Sequence, residues 1–565
     1  MRSPCTPVAS WTGLGLLDMA PTDSAENHRE IEWQFDVDDL GAVEAWLRQH
    51  ARNGEWEFHF GEPEEQIDSY YDTPDWRFFR AGYVLRIRQA RNTPAEATLK
   101  SFGTRKDGLR QRHEINERMK LEGITDDPTG SVIRSSGPVG QRVRAMLSRH
   151  SAQMLRRLFD AQTRRTRIAV QRDEAHVAEI ALDDVSIAGD RRRGPVRFRR
   201  VEVELASDHA SDLESATKSV EALVAKMQSA CELRPATDSK FELGLQARRL
   251  QPAFAPDLGR PEDTGHLDDD PTVGELAFAV LREHFAQLLA HEPGVRLGEE
   301  AEAVHRARVA TRRLRAALGL FRDHLPSDAQ RYRNELRWIA RLLGGVRDLD
   351  VQQERLAAWR QDKVVIEADG LKGLEDWLAR RRAQARAKML RGLNSARYAR
   401  FAAEFTDFLC NGPSASEDQP GAVPARRALP DLILKRYTKV RKLGDAIDDD
   451  SPPEDYHELR IQCKRLRYAL EFAEALYPKA IRNYLPRLVA LQDLLGLHQD
   501  AHVAIEEMRR LSLSSQPELP AQAAFALGEI AQRYAQQAEE LRAEFPRLYR
   551  RIKGKAWERL QRALK

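Results

Sequence analysis

A basic segment that occurs twice, 152 residues apart, constrains the fold of this chain more than any other feature. The first copy is HRARVATRRLR at 305–315, and the second is HELRIQCKRLR at 457–467. A second element, LLG followed by an aspartate, recurs at the same spacing and contains Asp348 in one copy and Asp500 in the other. Because two separate elements share one spacing, we interpret the region as an internal duplication. Two unrelated, solvated basic helices are the alternative.

Each basic segment predicts a helix with charge on one face and a core on the other. At about 100° per residue, one face of the first copy carries His305, Arg308, Arg312 and Arg315. The opposite face carries Ala310, Leu314, Ala317, Leu318 and Phe321. Glutamates do not alternate with these arginines as they do on most solvated helices, so the repulsion favours a bound anion. We therefore predict a shared anion-binding groove that contains His305, Arg308, Arg312, Arg313, Arg315, His457, Arg460, Lys464, Arg465 and Arg467.

The composition indicates several domains and no membrane span. The 565 residues exceed what one core usually holds, and 42% hydrophobic with 31% charged residues is ordinary for a soluble chain. The 90 basic and 87 acidic residues nearly cancel, and the basic segments lack interleaved aromatics, so we expect no nucleic-acid partner. No apolar run approaches about 18 residues, and no secretory signal is evident. The four scattered cysteines fit a reducing compartment, and we expect a cytoplasmic location.

Residues 30–245 alternate with period two, which predicts short strands separated by turns. The residues that share a strand face are charged, with acidic strands at the two ends and basic strands in the middle. About eight strands suffice for an antiparallel sheet to close on itself. Carboxylates suit a hard divalent cation, and Arg and Lys suit phosphate oxygens, so this segregation favours a site for a metal and a polyanion. The alternative is the solvent face of a sheet that packs on helices.

This half of the chain resembles the CYTH superfamily, the triphosphate tunnel metalloenzymes. The resemblance rests on the order of Glu30-x-Glu32, Tyr70-Tyr71-Asp72-Thr73, Leu85-Arg86-Ile87-Arg88, Thr98-Leu99-Lys100, Arg112-x-Glu114, Arg165-x-Arg167, Glu179 with Asp183, Glu202-x-Glu204-Leu205 and Ser239-Lys240-Phe241. It implies a closed antiparallel eight-stranded β barrel with flanking helices, whose tunnel binds triphosphate.

The same resemblance implies roles for individual residues. The implied phosphate ligands are Arg86, Arg88, Lys100, Arg112, Arg165, Arg167 and Lys240. The implied ligands of Mg²⁺ or Mn²⁺ are Glu30, Glu32, Glu202 and Glu204, with Glu114, Glu179 and Asp183 as further candidates. We expect Glu30, Glu32, Lys100 and Arg112 to act in catalysis. One departure concerns the family signature Glu-x-Glu-x-Lys, because Gln34 stands at the lysine position and can donate hydrogen bonds but carries no charge.

The second half of the chain predicts an all-α, duplicated helical bundle. Residues 247–271 are rich in Pro, Gly and Asp and predict a linker, which leaves 28–246 as one domain and 272–565 as another. A second break divides the latter into copies at about 272–410 and 431–565, and residues 1–27 are interpreted as a disordered or misassigned extension. This half resembles the CHAD family in its paired basic helices and in two further segments, Leu336-Arg337-Trp338 and Leu349-Asp350-Val351. That resemblance implies binding of inorganic polyphosphate, with His305 and His457 in contact with phosphate. The alternative for each histidine is a partly buried ring that is satisfied by a backbone carbonyl.

Together, the two halves resemble bacterial CYTH–CHAD inorganic triphosphatases. The resemblance implies metal-dependent hydrolysis of inorganic triphosphate to pyrophosphate and phosphate, with polyphosphate bound by the helical half. A non-catalytic polyphosphate-binding protein is the alternative that Gln34 raises. Adenylate cyclase and thiamine triphosphatase activities are the alternatives within the enzyme class. We expect no membrane partner, and the sequence leaves the oligomeric state open.

Overall fold

The computed structural model describes residues 28–51, 56–91, 93–119, 128–147, 155–172, 175–190, 194–206, 213–253, 258, 270–361, 372–413, 419–513 and 521–565. The proposed N-terminal extension and most of the proposed linker lie outside these residues. The described residues form two compact units. The first contains 28–72, 82–143 and 156–251, and the second contains 73–81, 144–155 and the residues from 252 onward.

Eight antiparallel strands form a closed barrel in the first unit. They are β1 (His28–Val37), β3 (Glu64–Asp72), β4 (Tyr83–Ala90), β5 (Ala95–Ser101), β7 (Leu109–Met119), β8 (Arg156–Arg172), β9 (Ala175–Ile187) and β10 (Val196–Leu205). Their order is β1-β10-β9-β8-β3-β4-β5-β7, and the pairing of β7 with β1 closes the barrel. Three short outer strands, β2 (Glu57–Phe60), β6 (Thr104–Lys106) and β11 (Arg234–Pro235), pair with β8, β7 and β1. The predicted eight-stranded barrel is confirmed.

Alternation along the strands separates an apolar outer face from a charged inner face. On β1, Ile31 and Trp33 pack in an apolar cluster with helices α1 (Leu40–His50) and α5 (Leu213–Ala230), whereas the intervening Glu32 is buried on the other face. The other helices before residue 251 are α2 (Arg77–Arg80), α3 (Pro128–Arg134), α4 (Pro138–Met146) and α6 (Lys240–Arg248). Outer helices therefore cover the apolar face and leave the charged face to line the barrel interior.

The second unit contains ten long helices within the described residues. They are α7 (Val273–Leu297), α8 (Ala301–Leu320), α9 (Ala329–Gln361), α10 (Lys372–Leu393), α11 (Ala396–Asn411), α12 (Ala425–Gly444), α13 (Pro453–Ala473), α14 (Pro478–Ser512), α15 (Ala521–Arg551) and α16 (Lys555–Leu564). A single large apolar cluster joins most of them. No helix in the described ranges is both long enough and apolar enough to cross a membrane.

The internal duplication is visible in the positions of these helices. Helices α7 and α12 begin 152 residues apart, and so do α8 and α13, the helices that carry the two basic segments. The residues predicted to form the core face of the first basic helix, Ala310, Leu314, Ala317, Leu318 and Phe321, are all buried. The helical prediction for this half is confirmed, and the two copies can be compared position by position.

Candidate functional site

Charged side chains line the barrel interior, and they pair with one another. The cations are Arg86, Arg88, Lys100, Arg110, Arg112, Arg165 and Lys240, and the carboxylates are Glu30, Glu32, Asp68, Glu114, Asp183, Glu202 and Glu204. The sequence suggested that acidic and basic strands are segregated. The strand order of the barrel keeps this segregation, because the acidic strands β1, β10 and β9 are neighbours and the basic strands β8, β4, β5 and β7 lie on the other side with β3. The two groups meet where β9 borders β8 and where β7 borders β1.

Arg112 and Lys100 hold the two carboxylates that begin β1. Arg112 Nε lies 2.6 Å from Glu30 Oε2, and Arg112 Nη2 also contacts Glu32. Lys100 Nζ lies 2.9 Å from Glu30 Oε1 and contacts Glu114 as well. Burial alone would raise the pKa of Glu30, but attraction to Lys100 and Arg112 holds it below its usual value. The four residues expected to act in catalysis therefore meet at one place.

A second cluster is built on the fully buried Asp183. Arg165 Nε lies 2.7 Å from Asp183 Oδ1, and Arg165 Nη2 lies 2.5 Å from Glu202 Oε2. Lys240 Nζ contacts Asp183 and lies 3.0 Å from Glu202 Oε1. Lys240 is the first residue of α6, which is fixed by a capping box between Ser239 and Glu242. Asp183, a candidate metal ligand by sequence, here anchors two of the implied phosphate ligands.

Two of the three remaining implied phosphate ligands centre on Asp68, which the sequence analysis missed. Arg88 binds Asp68 through two hydrogen bonds of 2.7 and 2.9 Å, and Arg86 Nη1 lies 3.8 Å from the same carboxylate. Asp68 lies directly opposite Arg88 in the register of β3 and β4. Arg167 is more open, with 42% of its side chain exposed, and lies 3.4 Å from Glu179. The alternation of β3 was the signal that could have identified Asp68.

Gln34 bridges the two carboxylate clusters. Its Nε2 donates to Glu32 Oε1 at 2.8 Å and to Glu202 Oε1 at 3.3 Å. Its Oε1 is buried without a hydrogen-bond donor among the described residues. The amide therefore connects the carboxylates but, unlike a lysine, adds no positive charge beside them.

Arg110 is an interior cation that the sequence analysis did not select. It lies directly opposite Glu32 in the register of β1 and β7, and only 7% of it is exposed. Its Nε and Nη2 atoms have no hydrogen-bond acceptor among the described residues. Burial and repulsion from Arg112 lower its pKa to about 10. The alternation of Arg110, Arg112 and Glu114 along one strand was the available signal.

The four implied metal ligands lie on the adjacent strands β1 and β10, where Glu32 is opposite Glu204. Glu204 is exposed, yet desolvation by the surrounding protein and repulsion from Glu30 raise its pKa to about 8. As the side chains are paired here, no three His, Cys, Asp or Glu residues of the described chain are arranged to hold a metal ion. The donor set itself, which consists of carboxylate oxygens under mutual repulsion, fits a hard divalent cation such as Mg²⁺ or Mn²⁺.

The two basic helices of the second unit converge on a single groove. Burial and repulsion from Arg460, Arg312 and Arg308 lower the pKa of Lys464 to about 8, so cations from α8 and α13 act on one another. His457 Nδ1 lies 2.8 Å from Gln499 Oε1, and burial lowers the pKa of His305. We call the surface formed by Arg308, Arg312, Arg460 and Lys464 the groove. That this surface binds an anion stays a prediction.

The structure separates the other basic residues of the repeat into two groups. Arg467 Nε lies 2.6 Å from Glu471 Oε1, and Arg313 Nη2 lies 3.1 Å from Glu471 Oε2. Arg315 and Arg465 instead line a pocket without a carboxylate among its lining residues. The sequence analysis treated all four residues alike because each belongs to the same repeated pattern.

Comparison with known proteins matches both halves of the chain. A family model described as the CYTH domain matches residues 28–231, and a model described as the CHAD domain matches residues 279–509. No curated protein matches.

Three similar solved structures each cover part of the chain. The CHAD domain from the plant Ricinus communis is 27% identical, with a TM-score of 0.43, over 53% of this chain and 97% of that chain. PptA from Streptomyces chartreusis is 21% identical, with a TM-score of 0.40, over 49% of this chain and 99% of that one. HpAC1 from Hippeastrum, described as a putative adenylyl cyclase with a dominant triphosphatase activity, is 16% identical, with a TM-score of 0.30, over 39% and 96%.

Proposed function

We propose that this chain, which carries a CYTH domain followed by a CHAD domain, hydrolyses inorganic triphosphate with a divalent cation and binds polyphosphate in its helical half. The observation that carries the proposal is the barrel interior, where buried arginines and lysines lie among buried carboxylates. Cations of this density suit the oxygens of a condensed phosphate, and the carboxylates suit the metal that accompanies it.

Phosphoryl transfer depends mainly on positioning and charge stabilisation, so a cation-lined tunnel supplies most of what the reaction needs. Arg112 and Lys100 lie on one side of the interior, and Arg165 and Lys240 belong to the other cluster. On substrate binding, these side chains exchange their carboxylate partners for phosphate oxygens. They thereby fix the orientation of the triphosphate and offset the charge that develops on the leaving group.

Four carboxylates would hold Mg²⁺ or Mn²⁺, namely Glu30, Glu32, Glu202 and Glu204. The bound cation supplies Lewis-acid polarisation of the phosphate oxygens. Desolvation, together with repulsion from Glu30, raises the pKa of Glu204 to about 8, and a bound cation would stabilise the ionised carboxylate against both effects.

The test is phosphate release from tripolyphosphate with Mg²⁺ or Mn²⁺, measured for the wild type and for Gln34→Lys. We expect turnover in the wild type, and no turnover with either metal would refute the hydrolase. ATP and thiamine triphosphate, assayed in parallel, should be poorer substrates. Preferential conversion of ATP to cyclic AMP and pyrophosphate would move the proposal to an adenylate cyclase, and preferential phosphate release from thiamine triphosphate would move it to a thiamine triphosphatase.

A non-catalytic polyphosphate binder is the second candidate, and Gln34 is the observation that favours it. A neutral amide forms hydrogen bonds about half as strong as a charge-assisted contact from an ammonium group would be. This candidate predicts that the wild type binds tripolyphosphate without cleaving it and that Gln34→Lys gains turnover. Absence of both binding and turnover would refute the two candidates together.

A further inference from the structure

We propose that a pocket in the helical unit binds the terminal phosphate group of a condensed phosphate, and that only one of the two repeat-related copies of this pocket is open. The inference deepens the polyphosphate-binding part of the proposed function and rests on it. It concerns a site beside the groove and is carried by a difference between the two halves of the duplication.

The pocket lies between α8, α9, α12 and α13 and encloses about 200 Å³. Its polar lining is dominated by guanidinium groups, from Arg315, Arg322, Arg333, Arg436 and Arg465. Aliphatic and aromatic side chains such as Leu320 and Phe472 complete its walls. None of the described residues that line it carries a carboxylate. A concave surface with this lining fits a compact anion with several charges.

Among the residues that the structure describes, the arginines of the pocket have no carboxylate partners. Burial lowers the pKa of Arg315, Arg333 and Arg436, and repulsion from neighbouring arginines adds to the effect in each case. The Nε atoms of Arg315 and Arg333 are buried without a hydrogen-bond acceptor among the described residues. Arg436 Nη2 donates to the backbone oxygen of Gly319 at 3.3 Å, which holds this guanidinium against the pocket. An anion would relieve the repulsion and satisfy these donors.

The repeat provides an internal control for this pocket. The 152-residue spacing relates Arg315 to Arg467, Gly319 to Glu471, Arg465 to Arg313, Arg436 to His284 and Arg333 to Leu485. At the related position, Glu471 binds both Arg313 and Arg467 and so supplies the negative charge from within the chain. Gly319 has no side chain at the corresponding point, and Arg333 and Arg436 add positive charge where the other copy has a leucine and a histidine. One copy is therefore self-neutralised, and the other is left cationic.

The charge of a terminal phosphate group explains why we assign this group to the pocket. A phosphate with a single ester or anhydride link has a second ionisation near pH 6 and carries a charge of about −1.5 to −2 at pH 7. A phosphate inside a chain has one ionisable oxygen fewer. The pocket adjoins the groove, because Arg312 of the groove lies 5.9 Å from the ring of Tyr468, which lines the pocket. A phosphate chain in the groove would therefore have its end in the pocket.

Substitution of Gly319 tests the assignment with little risk to the fold. A Cβ atom at Gly319 would lie 3.5 Å from Arg333 Nη2, an ordinary contact distance, and helix propensity favours either replacement over glycine. Gly319→Glu reproduces the carboxylate of the closed copy. Gly319→Gln fills a similar volume without charge and is the matched control.

The measurement is calorimetric titration of the full-length wild type and both variants with pyrophosphate, which has two terminal groups, and with cyclic trimetaphosphate, which has none. The tunnel is unchanged in all three proteins and provides the same baseline. In the wild type, we expect a pyrophosphate site in addition to the tunnel. Gly319→Glu should weaken that site by roughly 10–100-fold, as expected for lost charge-assisted contacts, and Gly319→Gln by less than about threefold. Trimetaphosphate should be insensitive to both substitutions.

Other results would refute either the pocket assignment or the proposed binding of polyphosphate. Equal pyrophosphate binding by the wild type and Gly319→Glu would overturn the pocket assignment, and so would an equal loss in both variants. Absence of a second pyrophosphate site in the wild type would overturn it as well. Failure of the wild type to bind long-chain polyphosphate would instead refute the proposed binding function. If the wild type binds long-chain polyphosphate but Gly319→Glu binds pyrophosphate as tightly as the wild type does, only the pocket assignment is refuted.

Discussion

Replacing Arg110 with methionine should stabilise the barrel and weaken catalysis at the same time. Arg110 is 93% buried, and two of its nitrogens have no acceptor among the described residues. The fall of its pKa from 12.5 to about 10 corresponds to about 3 kcal/mol of unfavourable free energy for the charged group. Methionine keeps most of the packing and removes the charge, so we expect the free energy of unfolding to rise by about 1–3 kcal/mol.

The effect on activity should have the opposite sign. Arg110 lies opposite Glu32, and two of its nitrogens, which have no acceptor among the described residues, can donate hydrogen bonds to phosphate oxygens. One charge-assisted hydrogen bond contributes about 1.5–3 kcal/mol, so kcat/KM for tripolyphosphate should fall by roughly 10–150-fold. A residue that costs stability in the free protein and contributes to substrate binding is typical of a functional site.

Two assays on the same preparations separate these effects. Urea unfolding gives the stability change, and phosphate release, or the affinity for tripolyphosphate, gives the functional change. Arg197→Met is the control, because Arg197 is an exposed arginine on β10. It should alter neither quantity by more than about 0.5 kcal/mol. The reasoning is refuted if Arg110→Met unfolds more readily than the wild type, or if its turnover and binding are unchanged.

Two further predictions concern buried charges. Asp183→Asn removes the carboxylate shared by Arg165 and Lys240, so the first unit should lose about 3–5 kcal/mol of stability. Tripolyphosphate should raise its thermal midpoint more than that of the wild type, and an equal rise would argue against phosphate binding by these cations. Lys464 has a pKa of about 8 in the free protein, and a bound polyanion should raise it. Polyphosphate binding at pH 8 should therefore take up about half a proton, because the free lysine is already half protonated there, and the affinity should fall as the pH rises through 8. Calorimetry in two buffers of different ionisation enthalpy measures the uptake, which should vanish in Lys464→Met.

The architecture could be predicted because each half has one dominant periodicity. Alternation placed Glu30 and Glu32 on one face of a strand, and the 3.6-residue period placed Leu314 and Phe321 in a helical core; the structure has both arrangements. These patterns are local, so one sequence suffices to read them. The repeat also predicted that two basic helices share a surface, because duplicated units bury equivalent faces against each other.

The partners of individual charges could not be predicted, because they depend on strand register and barrel closure. The pairing of Arg112 with Glu30 requires β7 to lie beside β1, although 82 residues separate the two side chains. Asp68 and Arg110 were missed because neither belongs to a recognised motif. The difference between Gly319 and Glu471 is present in the sequence, but its meaning depends on how the ends of α8 and α13 meet.

The ion pairs between carboxylates and cations in the barrel interior determine which ions can bind there. A polyanion that takes Arg112, Lys100 and Arg165 leaves Glu30, Glu32 and Glu202 with uncompensated charge in a poorly solvated space. If a divalent ion binds those carboxylates before the polyanion arrives, the arginine and lysine side chains lose their partners and repel one another. Under the proposed function, each ion therefore raises the affinity for the other, and by reciprocity the two effects are equal in size. Such a cavity would bind a polyanion without a metal ion weakly, and a metal ion without a polyanion weakly, but would bind the two together.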